Sequence, residues 1–369
     1  MGRIIVFGAT GYTGEMVARA IVREGGVPVL AARSRDRLLG LAHELGVSDI
    51  VVADAAEPDG TIRRLLEPGD VLVSTVGPFL QLGAPAVHAA VGAGAHYLDS
   101  TGEPPFIRRV FDQMDAAARG RCALVPAFGF DFVPGNLAGA LALRDAGEDA
   151  ERVDIGYFSE ASGGLGAVSE GTARSTAGMV FERSFAWRDG RLRDVRSAER
   201  VGTFTVDGRE LDGISVGGSE HLALPRVAPS LREVNVHLGW FGPWSRALQR
   251  ASVGTEVLGR IPGVRWLSRT VGAELAGRVV GRSTVDGDPD LGRSRIVAIT
   301  YDGADRPLAQ IHLEGPEGYT FTAEALAWAA RRAASERPAA TGTLGPVELF
   351  GLDALADGCA GIGLRQVEG

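Results

Sequence analysis

The chain contains no lysine, because all 38 of its basic residues are arginine. Arginine stays protonated in proteins, so it can neither serve as a tunable base nor form an imine with a carbonyl substrate. The absence therefore excludes three classes of protein: reductases that use a Tyr-x-x-x-Lys pair, P-loop phosphate binders and enzymes that form a lysine imine.

Cysteine and long apolar runs are also scarce. The two cysteines, Cys122 and Cys359, are too few for a disulfide framework, which favours a reducing compartment. No stretch of 18 residues is free of glycine, proline and charge, so we expect no membrane span. The first residues follow a strand pattern instead of a secretory one, and together these features predict a cytoplasmic protein.

Two further shortages limit the partners. The formal net charge is −8, which argues against nucleic acid. The six histidines are scattered and no pair has metal-ligand spacing, so we predict no metal site. At 369 residues the chain is long for one core, which predicts two domains.

The segment "IIVFGATGYTGEMVARAIV" carries the most specific signal. A buried strand at 4–7 is followed by spaced glycines and then by helical periodicity over 15–23. Strand, glycine turn and helix form the context of a dinucleotide-binding loop, in which free N–H groups at the helix N-terminus face a pyrophosphate. We predict cofactor contacts from Gly8, Thr10, Gly11, Tyr12, Thr13 and Gly14.

The end of the next strand indicates which nicotinamide cofactor is bound. An NAD-specific fold usually has an acidic residue about 20 positions after the glycines. Here Arg33 and Ser34 stand in that place, and an arginine with a hydroxyl suits a 2′-phosphate, so NADP(H) is favoured. The alternative is that Ser34 only caps the helix predicted at 36–45 while the arginines face solvent.

Strands and helices then alternate up to residue 125. We predict strands at 50–53, 71–76, 96–99 and 122–125, and helices at 84–93 and 105–119. Such alternation predicts a Rossmann-type, doubly wound parallel sheet, an α/β fold in which ligands bind beyond the carboxyl ends of the strands. That rule adds further candidates for cofactor contact, namely Asp54, Val76, Gly77, Pro78 and Phe79.

The same segments resemble a known family. "GATGYTG", "AARS", "VGPF", "AHYLDSTGE" and "VPAFGFDFVPGNL" occur in the order found in saccharopine-dehydrogenase-like oxidoreductases, and the branch most similar contains the bacterial trans-acting enoyl reductases. Later segments, including "GGSEHLALPR" and "GPEGYTFTAEALA", extend the resemblance over most of the chain. It implies NADP(H)-dependent hydride transfer at the junction of two domains, with Asp131 bordering the substrate pocket.

The substrate is less well defined by this resemblance. Relatives that form amino acids hold several carboxylates with polar and basic residues, whereas Phe128, Phe130 and Phe132 alternate here. This difference favours an apolar substrate, unless the phenylalanines only pack one face of a strand. Reduction of an activated C=C bond is our leading hypothesis. Imine reduction of the saccharopine-forming type and a non-catalytic NADP(H)-binding sensor or scaffold are the alternatives.

A reductase also needs a proton donor near the cofactor. The candidates are Tyr97, Glu103 and Asp131, of which the two carboxyls stand beside glycines in loops expected to face the nicotinamide. Each has a structural alternative, because Tyr97 could pack in the core and either carboxyl could cap a helix or hold a loop.

The pattern changes after Pro134. We predict strands at 152–159, 230–240, 294–302 and 307–313, the last two as a hairpin, and helical stretches at 168–182, 244–275 and 320–334. These elements indicate a second, α+β domain on a mixed or antiparallel sheet. The predicted domains are 1–133 for the dinucleotide, 134–338 for substrate and dimerisation, and 339–369 returning to the first domain. Two-domain reductases of this kind commonly dimerise through the second domain, which suggests a homodimer.

Overall fold

The computed structural model describes residues 2–56, 60–159, 183–239, 245–246, 249, 292–336 and 338–368. Its strands are β1 Ile4–Phe7, β2 Val29–Ala32, β3 Ile50–Val52, β4 Val71–Ser74, β5 His96–Asp99, β6 Ala123–Val125, β7 Arg152–Ser159, β8 Arg183–Arg188, β9 Arg191–Arg196, β10 Val201–Val206, β11 Arg209–Ser215, β12 Glu233–Leu238, β13 Ser294–Tyr301, β14 Pro307–Gly315, β15 Gly342–Thr343 and β16 Arg365–Val367.

The helices are α1 Tyr12–Arg23, α2 Arg35–Leu45, α3 Thr61–Leu65, α4 Phe79–Leu82, α5 Ala84–Ala93, α6 Pro104–Ala118, α7 Val133–Ala146, α8 Glu220–Val227, α9 Gly318–Ser335, α10 Pro346–Phe350 and α11 Leu352–Ile362, with one short 3₁₀ turn at Gly147–Asp149. No helix in the described ranges is both long enough and apolar enough to cross a membrane.

The chain divides into two compact units. The first comprises Met1–Val133 and Gly318–Ile362, and the second comprises Pro134–Glu317 and Gly363–Gly369. The sequence analysis placed the segment of helix α9 in the predicted second domain, residues 134–338. In the structure, α9 lies in the first unit together with α10 and α11. At the end of the chain, β16 pairs with β14 in the second unit. The roles assigned to the domains stay predictions.

A parallel sheet forms the centre of the first unit. Its strand order is β15-β6-β5-β4-β1-β2-β3, and every pairing in it is parallel. Apart from β15, this is the 3-2-1-4-5-6 order of a doubly wound dinucleotide-binding fold. Every residue of β1, β2 and β4 is buried, as expected for strands covered on both faces. The predicted α/β fold is confirmed.

The strand order also fixes where a ligand can bind in this unit. Strand β1 lies between β4 and β2. The connection from β1 leads to β2 on one side of it, and the connection from β3 leads back to β4 on the other side. A crevice opens outside the carboxyl ends of the strands at this reversal point. The loops after β1 and β4 meet there.

The three alternating phenylalanines pack inside the first unit. Phe128 stacks on Trp328 of α9 at 6.5 Å between ring centroids, and Phe130 meets Phe321 edge-on at 6.3 Å. Phe132 is 1% exposed. These contacts agree with the packing alternative, so the phenylalanines do not support an apolar pocket.

Several element boundaries differ from the predicted ones for local reasons. Helix α1 begins at Tyr12, three residues before the predicted start and directly after the N-cap Gly11, whose backbone is extended. Strand β4 ends at Ser74, and the short helix α4 that begins at Phe79 has no counterpart in the prediction. A four-residue helix spans about one turn, too short for a periodic pattern to reveal.

The second unit is built on a mixed sheet, as predicted. Strand β12 pairs parallel with β7 and antiparallel with β11, while β13 and β14 form the predicted hairpin, paired from Ser294↔Gly315 onwards. Helix α8 packs against β12 and β8. The helical stretch predicted at 168–182 lies outside the described residues, and so does 244–275 apart from 245–246 and 249.

Candidate functional site

The glycine loop lies at the carboxyl end of β1, where the chain must pass very close to its neighbours. Gly8 has φ +93°, and a Cβ there would lie 2.6 Å from Thr75 Oγ1 in the loop after β4. A Cβ on Gly14 would lie 2.2 Å from Gly8 O. No side chain fits at either position, so these glycines bring helix α1 directly against the end of the strand.

The N-terminus of α1 is open to an anion. Its N-cap is Gly11, and no side chain caps the helix. The first N–H groups of a helix have no intrahelical acceptor, and the helix dipole adds positive potential there. Thr10 and Thr13 are partly buried, and Tyr12 is 60% exposed beside this end. An uncapped helix end behind a glycine cradle fits the pyrophosphate of a dinucleotide.

The loop after β2 shows what Ser34 contacts, and it adds Arg37 to the candidate residues. Ser34 caps α2, since its Oγ accepts a hydrogen bond from Arg37 N at 3.4 Å. Arg33 is exposed. The guanidinium of Arg37 donates to Thr10 O in the glycine loop. The sequence analysis missed Arg37, although its position in the first turn of the predicted helix, four residues after Arg33, was a usable signal.

The remaining cofactor candidates stand at the same edge of the sheet. Asp54 follows β3, and its Oδ1 accepts a hydrogen bond from Ala56 N at 3.0 Å. Val76 is partly buried, Gly77 and Pro78 are exposed, and the Gly77–Pro78 peptide bond is cis. Phe79 differs from these, because its side chain is 6% exposed and packs on Phe106 at 5.6 Å. Phe79 therefore contributes to the core of this unit.

Glu103 connects two loops of this edge. Its carboxylate accepts hydrogen bonds from Phe79 N at 2.7 Å and Leu80 N at 2.9 Å. Each oxygen thus binds one backbone N–H of α4, while Glu103 itself precedes α6. The carboxylate ties the loop after β4 to the loop after β5, which is the structural alternative considered for it.

Asp99 holds a second pair of loops at the end of β5. Its Oδ1 accepts hydrogen bonds from Thr101 N at 2.9 Å and from Ala127 N, beyond β6, at 2.8 Å. The residue has no exposed surface. Burial raises the pKa of Asp99 to about 7, although both backbone hydrogen bonds lower it.

Tyr97 lies two residues earlier on the same face of β5. It has no exposed surface, and burial together with the nearby Asp99 raises its pKa well above 10. Ser74 stands directly opposite Asp99 in the parallel register. Within the described residues, Ser74 Oγ, Tyr97 Oη and Asp99 Oδ2 are buried without a hydrogen bond of ordinary geometry. Tyr97 therefore belongs to the buried interior, the structural alternative for it.

Asp131 has a different environment from the other two carboxylates. A Cβ on Gly102 would lie 3.0 Å from Asp131 Oδ2, so the carboxyl rests against the loop after β5. The residue as a whole is partly exposed, but Oδ1 is fully covered and has no hydrogen-bond partner among the described residues. Burial raises the pKa of Asp131 to about 7. The Asp131–Phe132 peptide bond is cis.

The loops after β1, β4, β5 and β6 therefore converge at one edge of the parallel sheet. They bring together the glycine cradle, the Glu103 and Asp99 bridges and the Asp131 carboxyl. In the ranges that the structure describes, no three His, Cys, Asp or Glu side chains are grouped so as to hold a metal ion. The arrangement can hold a dinucleotide and can present a carboxyl that carries a proton near neutral pH.

Part of the first unit is similar to a known protein family. Residues 4–123 match the protein family described as "Saccharopine dehydrogenase NADP binding domain". The match confirms the predicted resemblance and the NADP(H) cofactor. It agrees with the glycine cradle and with the arginines after β2.

Curated relatives share a narrower part of the chain than the motifs predicted. The chain is 39% identical over 153 residues to a putative trans-acting enoyl reductase of Mycobacterium tuberculosis, covering 40% of this chain and 36% of that protein. It is 35% identical over 141 residues to a trans-acting enoyl reductase of Mycobacterium bovis, covering 36% and 34%. The chain thus aligns with little more than a third of the length of these relatives.

A likeness in fold covers the whole chain. The apo saccharopine dehydrogenase (L-Glu forming) of Saccharomyces cerevisiae superimposes with a TM-score of 0.60, 14% identity and full coverage of both chains. At this identity the likeness establishes the fold alone. It agrees with a parallel sheet followed by a second, mixed sheet.

The glycine geometry predicts the effect of adding one methyl group. Gly14→Ala places a Cβ 2.2 Å from a backbone oxygen, so we expect α1 to shift and the affinity for NADPH to fall ~10-fold or more, the loss that follows when one hydrogen bond to a charged phosphate is removed. Gly40→Ala is the matched control, because Gly40 lies exposed in α2 with nothing within 4 Å of its Cβ position. This control is expected to stabilise the protein by about 0.5–1 kcal/mol. Cofactor titration by fluorescence and thermal melting test both variants, and equal affinities would contradict the cradle.

The buried Asp99 predicts a pH-dependent stability difference. The folded state holds the Asp99 proton up to about pH 7, whereas an unfolded aspartate releases it at about pH 3.9. This stabilising contribution is complete below about pH 4 and is lost as the pH rises through about 7. A pKa difference of one unit corresponds to ~1.36 kcal/mol, so the difference between the folded and unfolded pKa of Asp99 amounts to about 4 kcal/mol of stability.

Asp99→Asn is neutral at every pH and keeps an oxygen for the two N–H donors. We expect the free energy of unfolding of Asp99→Asn, relative to that of the wild type, to rise by up to about 4 kcal/mol from pH 4 to pH 8. Urea unfolding at several pH values measures the difference. The exposed Asp36→Asn serves as the control, and parallel curves for Asp99→Asn and the wild type would refute the assignment.

Proposed function

We propose that the protein is an NADPH-dependent reductase that transfers hydride to an activated carbon–carbon double bond, one conjugated to a carbonyl. The observation that carries the proposal is a carboxyl, Asp131, whose buried Oδ1 is unpartnered at the edge that holds the glycine cradle. The names of the curated relatives support the enoyl class of substrate. We also propose a cytoplasmic location, supported by the two-cysteine composition, while a homodimer stays a prediction.

The residues after β1 and β2 would hold the cofactor. The open N-terminus of α1, behind Gly8, Gly11 and Gly14, would bind the pyrophosphate. Arg33 and Arg37 would bind the 2′-phosphate, and Ser34 could donate to it, because its Oγ uses only a lone pair to cap α2. Asp54 would lie near the adenine, and Val76, Gly77 and Pro78 would follow the ribose–nicotinamide end.

The reaction requires a hydride and a proton. When bound, NADPH would supply the hydride that adds to the β-carbon of the enoyl substrate, and the electron pair of the double bond would move onto the α-carbon and its carbonyl. The α-carbon then takes a proton from the Asp131 carboxyl, and solvent returns a proton to the carboxylate. With its pKa raised to about 7, Asp131 is partly protonated at neutral pH, which suits a general acid.

Asp131 is the best placed of the three predicted donors. Both oxygens of Glu103 accept backbone N–H groups, and Tyr97 has no exposed surface. Asp131 alone among them combines a partly exposed residue with a carboxyl oxygen that has no partner within the described chain. Glu103 and Tyr97 would then support the site without transferring protons.

The composition of the loops supports an apolar, polyketide- or lipid-derived acyl substrate. Segments 8–14, 74–83, 99–106 and 126–137 contain no arginine and no histidine. A substrate with several carboxylates needs cationic partners, usually arginine. These loops offer acidic, hydroxyl, amide and apolar side chains instead, which disfavours an amino-acid product.

A substrate panel tests the proposed reaction. We expect NADPH oxidation, followed at 340 nm, with trans-2-octenoyl N-acetylcysteamine thioester and none with a mixture of lysine and an aldehyde. Asp131→Asn is expected to lower kcat ~100-fold or more while the Kd for NADPH changes less than about twofold.

The other outcomes separate the alternatives. Turnover of the lysine–aldehyde mixture alone would establish imine reduction in place of enoyl reduction. Saturable NADPH binding without turnover of any panel member would favour a sensor or scaffold. Unchanged kcat in Asp131→Asn would remove Asp131 as the proton donor.

The arginines after β2 predict a cofactor-specific loss. We expect Arg37→Ala to raise the Kd for NADPH about tenfold or more, since a charge-assisted hydrogen bond contributes ~1.5–3 kcal/mol, and to leave the Kd for NADH nearly unchanged. Arg33→Ala should act in the same direction. Arg191→Ala, which removes an exposed arginine from β9 in the second unit, is the control. Equal weakening toward both cofactors would show that Arg37 only supports the glycine loop.

A further inference from the structure

The loop that carries Asp131 is anchored by a helix almost 200 residues away in sequence. Thr322 of α9 accepts a hydrogen bond from Phe130 N at 2.9 Å. The same hydroxyl donates to Gly318 O at 2.7 Å, one helical turn earlier. A hydroxyl has a single proton, so this donation leaves its lone pairs free to accept from Phe130 N.

Shape reinforces the hydrogen bond. A Cβ on Gly129 would lie 2.9 Å from Thr322 Cγ2, and a Cβ on Gly318 would lie 3.3 Å from the Phe130 ring. The Phe130 ring also meets Phe321 edge-on. The backbone of the loop is therefore packed closely against the first turns of α9, where a side chain on Gly129 would collide and one on Gly318 would be crowded.

This anchor acts one residue before Asp131. The hydrogen bond at Phe130 N holds the Gly129–Phe130 peptide, the one just before the Phe130–Asp131 peptide. The Asp131 carboxyl rests against Gly102. On the other side of the loop, Asp99 Oδ1 holds Ala127 N. Among the hydrogen bonds that residues 127–131 make to the rest of the described chain, the one nearest to Asp131 in sequence is thus the bond to the Thr322 hydroxyl.

We propose that Thr322 is a positioning residue for catalysis: its hydroxyl holds the Phe130–Asp131 backbone so that the Asp131 carboxyl stays in its covered place against Gly102. The inference rests on the proposed function of Asp131 as the proton donor. Loss of the hydroxyl leaves Phe130 N–H without its acceptor, and the loop can then move and admit water to the carboxyl.

Three variants separate this role from general stability. Thr322→Val keeps the shape and removes the hydroxyl, while Thr322→Ser keeps the hydroxyl. Thr300→Val is the matched control, because Thr300 in β13 likewise accepts from a backbone N–H and donates to a carbonyl, both of Ala309, within the second unit. Melting temperature, the Kd for NADPH, and kcat and KM with the octenoyl thioester are measured for each full-length variant.

We expect Thr322→Val to lower kcat between ~10- and ~100-fold, with the Kd for NADPH changed less than about twofold. Thr322→Ser should restore kcat to within about twofold of the wild type. Thr300→Val should lower the melting temperature by a similar amount and leave kcat unchanged. A Thr322→Val enzyme with wild-type kcat, or one whose loss of kcat is matched by Thr300→Val, would overturn the proposal.

A double variant tests whether Thr322 acts through Asp131. If it does, adding Thr322→Val to Asp131→Asn lowers kcat no further, so the two effects are not additive. Additive losses would contradict the positioning role. Unchanged kcat in Asp131→Asn alone would instead refute the proposed function, whatever Thr322→Val does.

A measurement without turnover completes the test. With [4-¹³C]aspartate labelling, the Asp131 carboxyl signal is assigned by its absence from Asp131→Asn and titrated by NMR. Burial predicts a titration midpoint at about pH 7 in the wild type and in Thr300→Val. In Thr322→Val we expect the midpoint to fall by ~0.5 pH unit or more, because the carboxyl gains water. An unchanged midpoint would overturn the proposal even if no panel substrate is reduced.

Discussion

The approach of helix α1 to strand β1 is the constraint on which the candidate site depends. The strand ends at Phe7, and the helix begins five residues later, because Gly8 and Gly14 allow backbone to meet backbone where any Cβ would collide. The short turn leaves the helix N-terminus uncapped at the reversal point of the sheet. Main-chain N–H groups are thereby available to phosphate, and no lysine is needed to bind it.

Acidic and hydroxyl side chains organise the rest of this edge by accepting backbone N–H groups. Glu103 holds the first residues of α4, Asp99 holds the loops after β5 and β6, and Thr322 holds the loop before Asp131. Side-chain acceptors of this kind let irregular loops lie close together without leaving buried N–H groups unpaired. They also explain why several carboxyls at one edge need not all be chemical participants.

Asp99 and Asp131 have similarly raised pKa values but different environments. Burial raises the pKa of both to about 7. Asp99 uses one oxygen for two backbone donors and is fully enclosed, so its charge state bears on stability. Asp131 makes no such bonds within the described chain and belongs to a partly exposed residue, so its proton is the one that can serve chemistry.

The sequence by itself determined the fold class, the glycine cradle and the NADP(H) preference. Apolar pattern and glycine spacing can be read directly from residues 4–33. The alternation of strand and helix patterns along the chain allows few topologies. It also supplied Asp131 and Glu103 as candidates, because loops at the carboxyl ends of parallel strands must share one edge. It could not separate their roles, since hydrogen-bond partners such as Phe79 N are set by the folded loops.

Only the tertiary structure decided which side chains meet across the chain. Arg37 donates to Thr10 O, and Thr322 accepts from Phe130 N across 192 residues. Each of these contacts depends on how helices lie against the sheet, which no periodicity in sequence encodes. The same holds for α9, whose amphipathic pattern predicted a helix correctly while its packing partner, the first unit, was settled only by the fold.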